Sequence, residues 1–198
     1  MRIGILASHE GSTMQSIIDA CRTRRLQAEI AVVISNNSNA QALVRASEAG
    51  IPAFNLSTRT HPEPTELDAA ISQTLLKHEA DILFLAGYLR KIGPVTISRY
   101  AGRILNTHPA LLPKYGGQGM YGQRVHEAVL SSGDRESGVS VHVVDAEYDT
   151  GEVLAQARVA VEPTDTIETL SQRVHARELE FVVEVLNDIA RGKIQLPC

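Results

Sequence analysis

Short apolar runs alternate with longer stretches of helical spacing along the first half of the chain. RIGILA precedes MQSIIDACRTRR, and EIAVVIS precedes AQALVRASEAG, so a strand is followed by a helix twice over. After PAFNLS, where Pro62 and Pro64 mark a loop, ELDAAISQTLLKHEA places Leu67, Ile71, Leu75 and Leu76 on one helix face. The nearly continuous apolar run DILFLAG then suits a strand covered on both sides. This βαβα order predicts an α/β fold with a doubly wound, mostly parallel sheet and helices on both faces.

The second half is patterned differently. RILNTH reads as a further strand, and PALLPKYGGQGMYG carries enough proline and glycine to be an irregular, ligand-shaped loop. VHEAVLSSG is a short helix with a glycine stop, while VSVHVV and VLAQARVAV are strands flanking the turn AEYDTGE. A last helix from Thr166 to Arg191 spaces Ile167, Leu170, Val174, Phe181, Val185 and Ile189 for packing, with Gly192 as its stop. No repeat or interdomain linker interrupts the pattern, so residues 1–198 are expected to form one domain.

Composition narrows the function classes. At 198 residues, 43% hydrophobic and 21% charged, the chain can bury one substantial core. A formal net charge of -4 supplies no positive field for a nucleic-acid backbone, although a few backbone N–H groups can still hold a small anion. No run approaches the roughly 18 apolar residues of a membrane span, and MRIGIL leads directly into a turn without a signal region. Cys21 and Cys198 form no CxxC pair or framework, so a cytoplasmic location is expected.

Gly11, Ser12 and Thr13 lie between the first strand and its helix, where their N–H groups could meet a phosphate; alternatively, Ser12 or Thr13 simply caps the helix. The turn lacks the GxGxxG of a dinucleotide site, the second strand ends in Ser35 and Asn36 without an acidic ribose ligand, and no Walker loop occurs. In RILNTH, Asn106 and His108 stand two residues apart, on one face near the strand's C-terminal end, where open parallel sheets bind ligands. An amide donor and an imidazole suit acyl transfer to an amine: one meets a developing oxyanion and the other delivers a proton. Asp149, in YDTG, is a candidate carboxylate partner. Equally open is a turn-capping Asn106, a core His108 and an Asp149 that closes its own turn. No HExxH, paired-cysteine or GxSxG motif competes, and His9, His61, His78, His126, His142 and His175 read individually as surface or structural residues.

NTHPALLPKY followed by GVSVHVVDAEYDTGEVLAQ resembles the signature of the phosphoribosylglycinamide formyltransferase family of purine synthesis. The likeness extends to EGSTMQSIIDAC and DILFLAGYLRKI and covers almost the whole chain. It implies a metal-free enzyme that moves the formyl group of 10-formyltetrahydrofolate to glycinamide ribonucleotide. In that reading Asn106, His108 and Asp149 are catalytic, with Asp149 raising the pKa of His108, and Ser140 and His142 support them. Gly11, Ser12, Thr13 and Glu178 would hold the ribonucleotide. Leu89, Arg90, Lys91 and Ile92 would lie beside the pterin, with Leu89 and Ile92 as apolar walls. The partners are then small molecules, neither nucleic acid nor membrane, and a homodimer is left open.

Four features depart from the family pattern. Thr13 stands for an asparagine, Pro64 for a folate-contacting arginine, GGQGMYGQRVHEAVL for a shorter loop, and Leu179 for a histidine after Glu178. Three rivals remain: a formyltransferase for another amine or sugar, a formyltetrahydrofolate hydrolase, and a silent folate- or phosphate-binding module. The hydrolase is disfavoured by a chain that starts directly with the catalytic domain. The module is disfavoured by retention of the three catalytic residue types.

Overall fold

A computed structural model describes residues 1–197; Cys198 lies outside the described residues. Strands β1 (Arg2–Ala7), β2 (Glu29–Ser35), β3 (Ala53–Asn55), β4 (Ile82–Leu85), β5 (Ile104–His108), β6 (Glu136–Val143) and β7 (Val153–Ala160) form one sheet in the order β3-β2-β1-β4-β5-β6-β7. The pairs from β3 through β5 are parallel and the two pairs involving β6 are antiparallel. The chain therefore winds outward from β1 to β3, returns to β4 beside β1, and continues the other way. The expected doubly wound, mostly parallel sheet is what the chain adopts.

Among the described residues six helices cover it: α1 (Ser12–Arg22), α2 (Gln41–Glu48), α3 (Pro64–Lys77), α4 (Pro94–Arg99), α5 (Gln123–Ser132) and α6 (Ile167–Ala190). Met14, Ile17 and Ile18 of α1, Ala42 and Ala46 of α2, and Val182 and Leu186 of α6 pack with Ile3, Ile5, Phe84 and Leu105. On the opposite face Ile71 and Leu75 of α3 meet Leu6, Val32, Leu83 and Ile104. Val129 of α5 and Leu170, Val174, Phe181 and Val185 of α6 close over β6 and β7.

Two details of the pattern change. Leu76 is 54% exposed, because a stripe running through Ile71 and Leu75 already fills the space between α3 and the sheet. Pro64 does not belong to a loop: it is the first residue of α3, where its missing N–H costs nothing. At the far end Thr166 caps α6 and Gly192 follows it in the left-handed region, as the sequence indicates.

Phe84 is fully buried in the central parallel strands. Phe84→Ala is expected to lower unfolding free energy by about 3–5 kcal/mol with an unchanged denaturant slope. A loss below 1 kcal/mol in chemical denaturation would contradict this placement of the core.

Candidate active site

The sheet's winding reverses between β1 and β4, and a cavity of about 1250 Å³ opens there along the C-terminal ends of the parallel strands. Its size exceeds the roughly 300–1,000 Å³ typical of a single small-molecule site. It is lined by Gly11, Ser12, Thr13, His175 and Glu178, by Ala86 to Arg90, and by Asn106, His108 and Asp149.

Register builds the centre. Antiparallel pairing sets Asn106 opposite His142 and His108 opposite Ser140, so the period-two pair on β5 meets a period-two pair on β6. The turn between β6 and β7 returns Asp149 over them. Its backbone sits in the left-handed region at φ 57, a conformation aspartate tolerates better than most residues. The Asp149 carboxylate accepts the Gly117 N–H at 3.0 Å and lies 3.4 Å from His108 Nδ1 and 3.5 Å from His142 Nε2. One partly buried carboxylate thus joins both histidines to the glycine-rich loop.

Partners fix the ring states. His142 donates Nδ1–H to the Val143 carbonyl at 3.0 Å, leaving Nε2 to accept from the Asn106 amide at 3.2 Å. That contact turns the Asn106 NH2 group inward and leaves its second hydrogen free. His108 donates Nε2–H to the Tyr115 carbonyl at 2.6 Å, so Nδ1, facing Asp149, is the nitrogen that titrates. Ser140, fully buried, donates to Ala110 O at 2.6 Å and accepts from the Leu112 N–H at 2.9 Å. It shapes the loop after β5.

Burial adds an opposing effect to the expected influence of Asp149 on His108. Asp149 does push the His108 pKa up, but burial outweighs it and, with His142 nearby, holds His108 below the ordinary histidine value. Burial pushes the Asp149 carboxyl up in turn, yet the Gly117 hydrogen bond and the nearby His142 and His108 rings keep it below the usual carboxylate value.

Elsewhere in the cavity lining, Gly11 occupies the N-cap position of α1 with φ 69, and no side chain caps the helix. The capping alternative for Ser12 and Thr13 is therefore not realised, and the first turn faces the cavity with its N–H groups. Glu178 reaches in from α6: Thr107 Oγ1 donates to it at 2.7 Å and Thr13 Oγ1 at 3.3 Å. His175, which the sequence reads as a surface or structural residue, also lines the cavity. Its Nε2 lies 3.2 Å from Ser12 Oγ and its Nδ1 3.2 Å from Glu178.

Of the four residues expected beside a pterin, Leu89 and Arg90 line the cavity. Lys91 lies over the Tyr148 ring at 5.7 Å, and Ile92 is buried with Ile71 and Leu75, so it anchors the segment and is not a cavity wall. Among the described residues no group of three His, Cys, Asp or Glu side chains is placed to hold a metal ion. No described helix is long and apolar enough to cross a membrane.

The formyl transferase family profile matches residues 1–186. The chain belongs to the formyl transferase family. A phosphoribosylglycinamide formyltransferase of Haemophilus influenzae is 40% identical over 195 residues, covering 98% of this chain and 90% of that protein. The crystal structure of glycinamide ribonucleotide transformylase 1 from Symbiobacterium toebii superimposes with a TM-score of 0.91 at 35% identity, over 100% of this chain and 91% of that one. A formyltetrahydrofolate deformylase from Pseudomonas syringae shares the fold, with a TM-score of 0.86 at 23% identity over 99% of this chain and 63% of that one. The cavity is thus that of a formyl transferase, built at the strand ends where this topology places ligands.

Acid stability follows from its buried histidines. Burial holds both His108 and His126 below the ordinary value of 6.5. The unfolded chain then takes up protons first as pH falls through 6.5, and the contribution of the two neutral rings to stability is lost on acidification. His126→Leu is expected to flatten the decline in unfolding midpoint between neutral and mildly acidic pH; an unchanged slope would contradict the assignment.

Proposed function

We propose that this chain transfers the formyl group of 10-formyltetrahydrofolate to the amine of glycinamide ribonucleotide in de novo purine synthesis. The observation that carries the reading is that Asn106, His108 and Asp149 converge in the cavity that an uncapped helix N-terminus and the segment Ala86–Arg90 also line. A phosphate at Gly11, Ser12 and Thr13 and a pterin beside Leu89 and Arg90 would bring amine and formyl carbon to those three residues. Glu178 would orient the amine, as its position beside Thr107 supports. The reading treats residues 1–198 as a single formyltransferase domain working in the cytoplasm. All the named side chains come from one chain, so the chemistry requires no second copy.

The amine attacks the formyl carbon and a C–N bond forms as negative charge gathers on the formyl oxygen. The free N–H of Asn106, oriented by His142, stabilises that charge. Collapse breaks the bond to the folate nitrogen, which takes a proton from His108, while the proton shed by the attacking nitrogen passes back to the His108–Asp149 pair, so the proton count is unchanged. Burial favours this role because it makes the His108 imidazolium a stronger acid, while Asp149 keeps the ring close enough to a counter-charge to be protonated at all. No covalent enzyme intermediate is needed.

Tetrahydrofolate release from 10-formyltetrahydrofolate, with and without glycinamide ribonucleotide, tests the reaction. Release only with that amine is expected. Release without it would mean hydrolysis, and release with a different amine alone would mean another substrate. His108→Ala and Asp149→Asn are each expected to lower turnover by about 10²-fold; near-normal turnover in both would remove the assignment.

The phosphate end has its own pH signature. Hydrogen bonding to Glu178 raises the His175 pKa, and Glu178 holds the Nδ1 proton, so Nε2 beside Ser12 is a donor at low pH and a bare acceptor at high pH. The ratio of wild-type to His175→Gln affinity for the ribonucleotide, in which the phosphate's own titration cancels, should be about fivefold below the His175 pKa and fall above it. A ratio independent of pH would contradict this.

A further inference from the structure

The segment between β4 and α4 has no regular structure, yet it supplies Ala86 to Arg90 to the cavity. Among the described residues the backbone groups of Tyr88, Arg90, Lys91 and Ile92 make no hydrogen bond within the protein. Unpaired backbone donors and acceptors at a cavity edge turn to water or to a ligand. Such an edge is useful for recognition only if something else holds it still.

Two buried side chains from distant parts of the sequence do so. Ser8, just past the end of β1 and 1% exposed, accepts the Leu89 N–H at 2.9 Å and donates to Asn36 Oδ1 at 2.6 Å. Its own N–H meets the Gly87 carbonyl at 3.3 Å, and its carbonyl accepts from the Asn37 side chain at 3.4 Å. All the polar groups of Ser8 are thus spent on tying the segment's start to the ends of β1 and β2. Asp68 of α3, 5% exposed, secures the other end: its carboxylate accepts the Val95 N–H at 2.7 Å, the Thr96 N–H at 3.1 Å and the Thr96 hydroxyl at 2.6 Å. Gly93 makes room for it, since a Cβ there would lie 2.4 Å from Asp68 Oδ2. Ile92, buried 6% exposed, pins the chain between the two.

We infer that Ser8 and Asp68 are positioning residues for the formyl donor, acting through the backbone of residues 87–93 on the planar heteroaromatic ring system that edge receives. The inference rests on the proposed placement of the folate beside Leu89 and Arg90. Ser8 fixes the part of the edge that faces the cavity, and Asp68 sets the direction in which the chain leaves it. Neither touches the amine end, which α1 and α6 build separately.

Steady-state kinetics on Ser8→Ala and Asp68→Asn, with each substrate varied in turn, separates positioning from general damage. Loss of a buried hydrogen bond of this kind should raise the KM for 10-formyltetrahydrofolate about fivefold to tenfold, leaving kcat and the KM for the ribonucleotide within about twofold. Asp68→Asn keeps an acceptor for Thr96 while losing the one for Val95, so it remains a folded test should Ser8→Ala be unstable. Calorimetric titration of tetrahydrofolate reads the same loss without turnover. Equal rises in both KM values, or a fall in kcat with the donor KM unchanged, would overturn the inference. Wild-type protein that binds no tetrahydrofolate would instead overturn the functional reading.

Discussion

A partly buried carboxylate held between two histidines is the constraint on which the site depends. Asp149 can remain ionised away from water only because the Gly117 N–H, His142 and His108 compensate for lost hydration. The same contacts set its neighbours: they give Nδ1 of His108 a counter-charge and place His142 where it orients the Asn106 amide. Burial and charge act on His108 in opposite directions, and burial prevails. A more acidic imidazolium is the consequence, suited to giving its proton away.

The fold serves that arrangement by bringing three remote segments to one point. Parallel β5 presents Asn106 and His108 at its C-terminal end, and antiparallel β6 brings His142 opposite. The β6–β7 turn and the glycine loop after β5 then close on each other through Asp149 and Gly117. The cavity runs along the strand ends, where the start of α1, the segment after β4 and this carboxylate all line it.

Much of the fold was legible because strands covered on both sides must be apolar throughout, as in EIAVVIS and DILFLAG. Less legible was α4, whose six residues are too few to show a helical period, and the exposure of Leu76, which depends on how α3 leans on the sheet. Asn106 and His108 were visible as a pair because a strand's period is two. Asp149 was visible as a candidate carboxylate in its turn, but its pairing with His108 came only through family resemblance, since the approach spans a loop, a helix and a strand. His175 was missed because one histidine on a charged helix face has no local signature; its meaning lies in Ser12, far away in sequence. The net direction of the His108 pKa was likewise a matter of burial, which no motif encodes.

The most direct test of this account is the titration of the His108 ring followed by nitrogen NMR in wild-type protein and in Asp149→Asn. The account predicts a proton held on Nε2 throughout, a pKa below the ordinary histidine value, and a further fall when the carboxylate is replaced. A His108 pKa that is unchanged or higher in Asp149→Asn would contradict the claim that this carboxylate supports the catalytic imidazole.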